Sequence, residues 1–378
     1  MSLPYLSSRT TTLESTAPVE PAKAQAAQIP LESFVLPTFP PEAFTSNLGA
    51  LILTSDIKMD EYSDILTQPF VVPDLPASIV SLTLELFALG FPAGFLSGLG
   101  EKLGDALVSL TLFEQLFGGT VPGSKEDAVA FIKAQTQLKE VHFLDVFAPK
   151  GFWADVARVM AQEAKFIEVG YTYRHEDPAF LGTLPDAREV AGFVKEGLVG
   201  LRLAMGAPIR TGDEEEGTEE GIMPIGRERV SDDDAAAAGT REAGIGSALV
   251  KSLVERGGGL VMLDGTMFEL SVDEASQILD ACGRLKIAAF SLTAETGWED
   301  LFAVLGTSKR NVELLEIVGV PGEDWVERIK VGAATGLAEE LLMGLGEEWK
   351  DLKSVKVSLL RTKEEEWVRE GTQWEKKL

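Results

Sequence analysis

His142, His175 and Cys282 are the whole histidine and cysteine complement of this 378-residue chain. A single thiol permits no intramolecular disulfide and no cysteine zinc cluster, and two histidines are too few for a His-rich metal site. Tyr173-Arg-His175-Glu-Asp177 sets an imidazole beside carboxylates, the pairing that acid–base chemistry needs. Charged residues just past a predicted strand are ordinarily a solvated loop, and that is the expectation here. Cys282 ends an apolar helical pattern and is expected as a small buried residue. No Gly-x-Ser-x-Gly elbow offers a nucleophilic serine. Gly118-Gly-Thr-Val-Pro-Gly123-Ser-Lys125 has the glycine spacing of a phosphate-cradling loop. Its lysine does not directly follow the second glycine, so the ammonium cannot reach the phosphates. That segment is expected to be a loop with Ser124 as a helix cap.

The sharpest local pattern is Arg241-Glu-Ala-Gly244-Ile-Gly246. Glycines at a helix start let an anion approach the free backbone amides. The pattern resembles the pyrophosphate-binding segment of N-acetyltransferases, which would make acetyl-CoA the ligand. That family has a β-strand directly before the motif, whereas Ser231 to Thr240 consists largely of acids and alanines. A glycine-containing helix start returning from a loop is the simpler expectation. No constellation assembles a catalytic centre, so the chain is expected to be non-enzymatic, with no cofactor and no metal.

The charge narrows the partners. Lys and Arg number 34 against 60 Asp and Glu, a net −26. Nine acids sit in two clusters, Asp213 to Glu220 and Asp232 to Asp234; without them the charge is still −17. Such a surface repels phosphate backbones and anionic lipid, which argues against nucleic acid and membrane as partners. The opening residues lack an apolar leader pattern, and Ile79 to Leu99 is broken by Glu85 and Pro92. A cytoplasmic or nuclear location is expected.

The elements that would position any site come from a recurring triplet: apolar, two others, apolar, one other, apolar. It starts at Leu48, Ile79, Leu107, Leu138, Phe166, Leu198, Leu260, Ile287, Val312 and Leu352. Successive starts are 31, 28, 31, 28, 32, 62, 27, 25 and 40 residues apart. Between them, Asp127–Lys133, Phe152–Gln162, Ala187–Lys195, Ile245–Glu255, Asp273–Ala281, Glu299–Leu305 and Asp324–Lys330 place apolar residues three and four apart, as one-sided helices do. Ser271-x-x-Glu274, Thr296-x-x-Glu299 and Thr362-x-x-Glu365 have the form of capping boxes. Residues 1–45, rich in Ser, Thr, Pro and Ala, are expected to be a disordered arm. Residues 46–378 are expected to form one repeat domain with a mobile acidic insertion at about 207–243. Strand and helix units of near-constant length must stack, because one unit cannot bury its own apolar side.

This ladder resembles the leucine-rich repeats of the ribonuclease-inhibitor-like superfamily, especially the irregular repeats of fungal F-box proteins. The resemblance implies an α/β solenoid, a horseshoe of about ten repeats with a parallel concave sheet and outer helices. It departs from the family at the ninth repeat position, usually Asn or Cys, where residues such as Phe87, Gln115, Val146 and Leu360 stand; the ladder of side-chain bonds between loops is therefore expected to be missing. The function implied is a protein-interaction scaffold that binds a partner protein on the concave face. The alternative implied by the F-box likeness is a substrate receptor of a ubiquitin ligase, for which Leu36 to Phe44 is too short and proline-rich to supply the adaptor-binding unit.

Side chains alternate along a strand, so the third, fifth and seventh repeat positions face the concave side. The fifth-position row reads Ile52, Thr83, Thr111, His142, Gly170, Arg202, Asp264, Ser291, Glu316 and Lys356. The candidate partner-binding residues are Phe113, Glu140, His142, Leu144 and Arg202: an apolar centre with an orienting cation, the character of a binding hot spot.

Overall fold

A computed structural model of the chain describes residues 29–30, 48–54, 66, 72, 74–92, 94–172, 184–206, 247–306, 310–332 and 336–377. The expected acidic insertion, the Arg241–Gly246 motif, Tyr173–Asp177, Leu36–Phe44 and the N-terminal arm other than Ile29–Pro30 lie outside them.

Each triplet makes a strand. Ten run in parallel: β2 (Ala50–Thr54), β3 (Ser81–Glu85), β4 (Ser109–Leu116), β5 (Glu140–Phe147), β6 (Phe166–Thr172), β7 (Gly200–Gly206), β8 (Met262–Ser271), β9 (Ile287–Ala294), β10 (Leu314–Pro321) and β11 (Ser354–Leu359). A two-residue strand, β1 (Ile29–Pro30), pairs in parallel with β2 at one end. At the other end, β12 (Thr362–Glu370) and β13 (Gln373–Lys377) return antiparallel. The 13 strands form one sheet whose order is the order of the chain.

The register follows from burial. Leu51, Leu82, Leu110, Val141, Ile167, Leu201, Leu263, Ala288, Leu315 and Val355 stand side by side, each at most 1% exposed. One slip along a strand would turn this row to water, so the row fixes every pairing. It also corrects two repeat starts. The fifth repeat begins at Ala164 and the eighth at Leu285, each two residues before the expected Phe166 and Ile287. Both alternatives satisfy the triplet, because an apolar residue stands two positions after each true start. Ala164 is the buried one, while Phe166 lies on the inner face across Gly200, where an added Cβ would meet its ring at 2.5 Å.

Helices cover the other side of the sheet: α1 (Phe95–Leu103), α2 (Ser124–Ala134), α3 (Phe152–Val159), the short α4 (Ala187–Val190), α5 (Ser247–Arg256), α6 (Val272–Ala281), α7 (Trp298–Leu305), α8 (Glu323–Lys330) and α9 (Glu339–Glu348). Their one-sided apolar pattern predicts seven of these; α1 and α9 are additions. Between helices and sheet runs an aromatic core: Phe87 on Phe91 at 4.4 Å, Phe91 stacked on Phe95, Phe143 edge-on to Trp153 at 5.0 Å, and Trp298 edge-on to Trp325. Parallel strands lining the inner side with helices outside make this a leucine-rich-repeat solenoid.

Capping couples neighbouring repeats. Gly94, Gly123 and Gly151 precede α1, α2 and α3 with φ of 82°, 89° and 83°, a left-handed conformation that favours glycine. None has a side chain to satisfy the helix amides. For α1 and α3 the next repeat supplies it: Asp127 on α2 accepts from Leu96 and Ser97 backbone N–H at 3.0 and 2.9 Å, and Glu189 on α4 accepts from Gly151 N–H at 3.0 Å. Ser124 is therefore the first residue of α2 and not its cap, because Gly123 takes that position. Ser271 and Glu274 form the expected capping box. At Thr296 the carboxylate that reaches back is Asp300 and not Glu299.

Thr362 starts no helix. Its segment is β12, which supplies the pairing that the open edge of β11 lacks and sets Trp367 opposite Val355. Trp367 and, on β13, Trp374 are buried against the last repeat. The outer strand β13 carries Glu375, Lys376 and Lys377, charges that discourage further strand addition. The expected loss of the ninth-position ladder also has an exception: buried Gln115 donates from Nε2 to Leu84 O at 3.1 Å.

Replacing Asp127 with Ala should lower stability by about 1–2 kcal/mol, the usual worth of a helix cap. Urea unfolding followed by circular dichroism measures it. An unmoved midpoint would show that water satisfies the α1 amides equally well.

Candidate functional site

The inner face is built from three parallel rows. By register the fifth-position row is Ile52, Thr83, Thr111, His142, Glu168, Arg202, Asp264, Ala289, Glu316 and Lys356. Glu168 replaces the expected Gly170, and Ala289 replaces Ser291, both consequences of the two shifted starts.

With Glu168 in place, the middle of the row is a chain of ions. His142 Nδ1 lies 2.7 Å from Glu168 Oε2. The other Glu168 oxygen accepts from Arg202 Nη1, whose Nε reaches Asp264 Oδ2 at 3.3 Å. Asp264 Oδ1 accepts from the Thr266 hydroxyl at 2.6 Å and the Thr266 N–H at 3.1 Å. Further on, Arg361 in the turn between β11 and β12 donates to Glu316 Oε1 at 3.4 Å and to the Thr266 hydroxyl at 2.5 Å. These side chains are largely withdrawn from water, Arg202 at 14% and Glu168 at 9% exposure. Burial pushes Glu168 towards protonation, but the His142 hydrogen bond and the Arg202 charge outweigh it and hold its pKa below the usual carboxylate value. Glu316 runs the other way. Its burial, reinforced by Asp264, exceeds the pull of Arg361 and raises its pKa.

Apolar side chains flank this charged row. In the seventh-position row Phe113 stands beside Leu144, and Leu144 beside Gly170, all half-buried. In the third-position row Glu140 pairs with Phe166, which is followed by Gly200, Met262, Ile287 and Leu314. Phe166 also contacts the His142 ring, centroids 5.4 Å apart.

Of the expected binding residues, Phe113 on β4 and Leu144 on β5 are direct neighbours, and Glu140 and His142 share β5 with Leu144. Arg202 lies two strands from His142, and Glu168 bridges the two. It is held between Glu168 and Asp264. Thr266 and Arg361 were not anticipated, and no local signal marks them: Arg361 is 95 residues from Thr266.

The other chemical motifs resolve structurally. Lys125 pairs with Asp155 at 2.8 Å, away from any phosphate cradle. Cys282 is buried, with its thiol near Leu253 O, and burial pushes its pKa up to about 11, the wrong direction for a nucleophile. Among the described residues, no group of three or more His, Cys, Asp or Glu side chains could hold a metal ion, and no helix is long and apolar enough to cross a membrane.

No protein-family model and no curated protein matches the chain. Among solved structures it is similar to the leucine-rich repeat-containing protein LegL7 from Legionella pneumophila, at 13% identity and a TM-score of 0.41, over 89% of this chain and 92% of that one.

The ion chain makes stability pH-dependent. A carboxyl whose folded pKa is depressed stabilises the fold above its unfolded pKa, and that contribution is lost as pH falls through the folded value. Glu168 should therefore support the fold at neutral pH, a contribution that begins to fall away below the unfolded glutamate value of about 4.3. Glu168→Gln should cost about 2 kcal/mol at pH 7, the scale of a charge-assisted hydrogen bond. Urea unfolding at pH 7 and pH 3.5 should show the gap from wild type closing in acid. A gap independent of pH would contradict this assignment.

Proposed function

We propose that the chain is a non-enzymatic protein-interaction scaffold that binds a partner protein on the inner face of its solenoid. The observation that carries this reading is the paired, half-exposed Phe113 and Leu144 beside a charged row already fixed by its own ion pairs. Burying a large apolar side chain contributes about 1.5–3 kcal/mol, and binding energy concentrates on a few such anchors. The neighbouring charges need little reordering when a partner arrives, which lowers the entropic cost of docking. Glu140, half-buried on the strand that also carries Leu144, can select for polar groups at the rim of the same patch.

The double substitution Phe113→Ala with Leu144→Ala should weaken partner capture at least tenfold while melting within a few degrees of wild type. Quantitative affinity purification with both proteins as bait, alongside thermal unfolding, tests this. Equal recovery of the same proteins by the two baits would remove this patch as the docking surface.

A further inference from the structure

The turn that carries Arg361 is unusual. Leu360 and Arg361 are the two residues between β11 and β12, and both are left-handed, with φ of 46° and 62°. A two-residue turn of this form favours Asn-Gly, and bulky side chains are strained there. The strained geometry nevertheless places the Arg361 guanidinium over the inner face. There it bonds Glu316 on β10, the strand beside β11, and reaches Thr266 on β8, two strands further. Beneath it the face is shaped and fixed. Thr266 is 2% exposed and Glu316 5%; the Ser291 hydroxyl donates to Thr266 O at 2.7 Å, and Asp264 holds the Thr266 hydroxyl from the side. A planar fork of N–H donors meeting a carboxylate and a hydroxyl is arginine recognition.

We propose that Glu316 and Thr266, with Asp264 beside them, form a guanidinium socket that Arg361 fills in the free protein and that an arginine side chain of a peptide partner fills in its place. The socket rests on the reading of the inner face as a binding surface and gives it a chemical preference. It also gives that surface a resting state, in which the chain's own arginine closes the socket. Burial raises the Glu316 pKa despite the nearby cation, so the present contact only partly compensates the carboxylate. A better-aligned guanidinium would gain where Arg361 does not.

The test opens the socket without weakening the hairpin. Leu360→Asn with Arg361→Gly installs the residues that such a turn prefers and removes the guanidinium; Arg361→Gln, which keeps Leu360 and the turn length unchanged, is the second variant. N-acetyl-arginine amide is titrated calorimetrically against each folded variant and wild type, with N-acetyl-lysine amide as control. The expected result is saturable binding of the arginine probe to the open variants, at least tenfold tighter than to wild type and than the lysine probe. Adding Glu316→Gln should abolish it. No saturable binding to either folded variant, equal binding to wild type, or binding that survives Glu316→Gln would overturn the socket. Because the probe is a small cation and not the partner protein, such a failure leaves docking at Phe113 and Leu144 to stand or fall by its own experiment.

Discussion

Everything in this molecule depends on one constraint: no single strand–helix unit can remove its own apolar side from water. Leu82 is covered only because Leu51 and Leu110 stand on either side of it, and the same holds along the row to Val355. Burial thus sets the register, and the register decides which side chains meet on the opposite face. The carboxylate helix caps join one repeat to the next in the same way, with Asp127 completing a helix that belongs to the unit before it. The ion chain from His142 to Asp264 is a by-product of alignment on the buried side.

That dependence explains what the sequence revealed and where it misled. Eight of ten repeat starts are legible because Leu, Ile and Val at fixed spacing are the direct imprint of burial. The two slips, at Phe166 and Ile287, arise because a strand repeats every two residues and a large apolar side chain on the open face imitates one in the core. A small error in phase then had a large effect on the site: it removed Glu168 from the central row, and with it the link between His142 and Arg202. Thr362 misled for a different reason. A capping pattern is local, whereas the unpaired edge of β11 and the covering tryptophans Trp367 and Trp374 are tertiary, and the tertiary demand prevailed. Phe113, Leu144, Glu140 and His142 could be placed on the inner face because alternation alone puts them there. Arg361 could not, since its partners lie far away in sequence and no periodicity connects them.

The charged row also shows what a solenoid can do that a compact core cannot. Withdrawing four ionisable groups from water is costly unless each finds a partner, and here each does. Arg202 serves two carboxylates, and Glu168 bonds the His142 imidazole on one side and Arg202 on the other. Such an arrangement holds one geometry, so the apolar side chains beside it rest on a stiff platform. Apolar rows supply attraction and the row between them supplies order.

Sheet order that follows chain order has a kinetic meaning as well. Every pairing joins consecutive strands, so the ends brought together are seldom far apart, and assembly can proceed unit by unit as the chain leaves the ribosome. The 62-residue step between the sixth and seventh repeats is about twice the usual span. Doubling a flexible connection costs only about 0.6 kcal/mol of closure entropy, which is why an insertion of this size can accumulate without breaking the stack. The growing edge meanwhile remains open to the wrong neighbour until β12 and β13 arrive. Their pairing closes the edge at which a partly assembled stack is most exposed to aggregation.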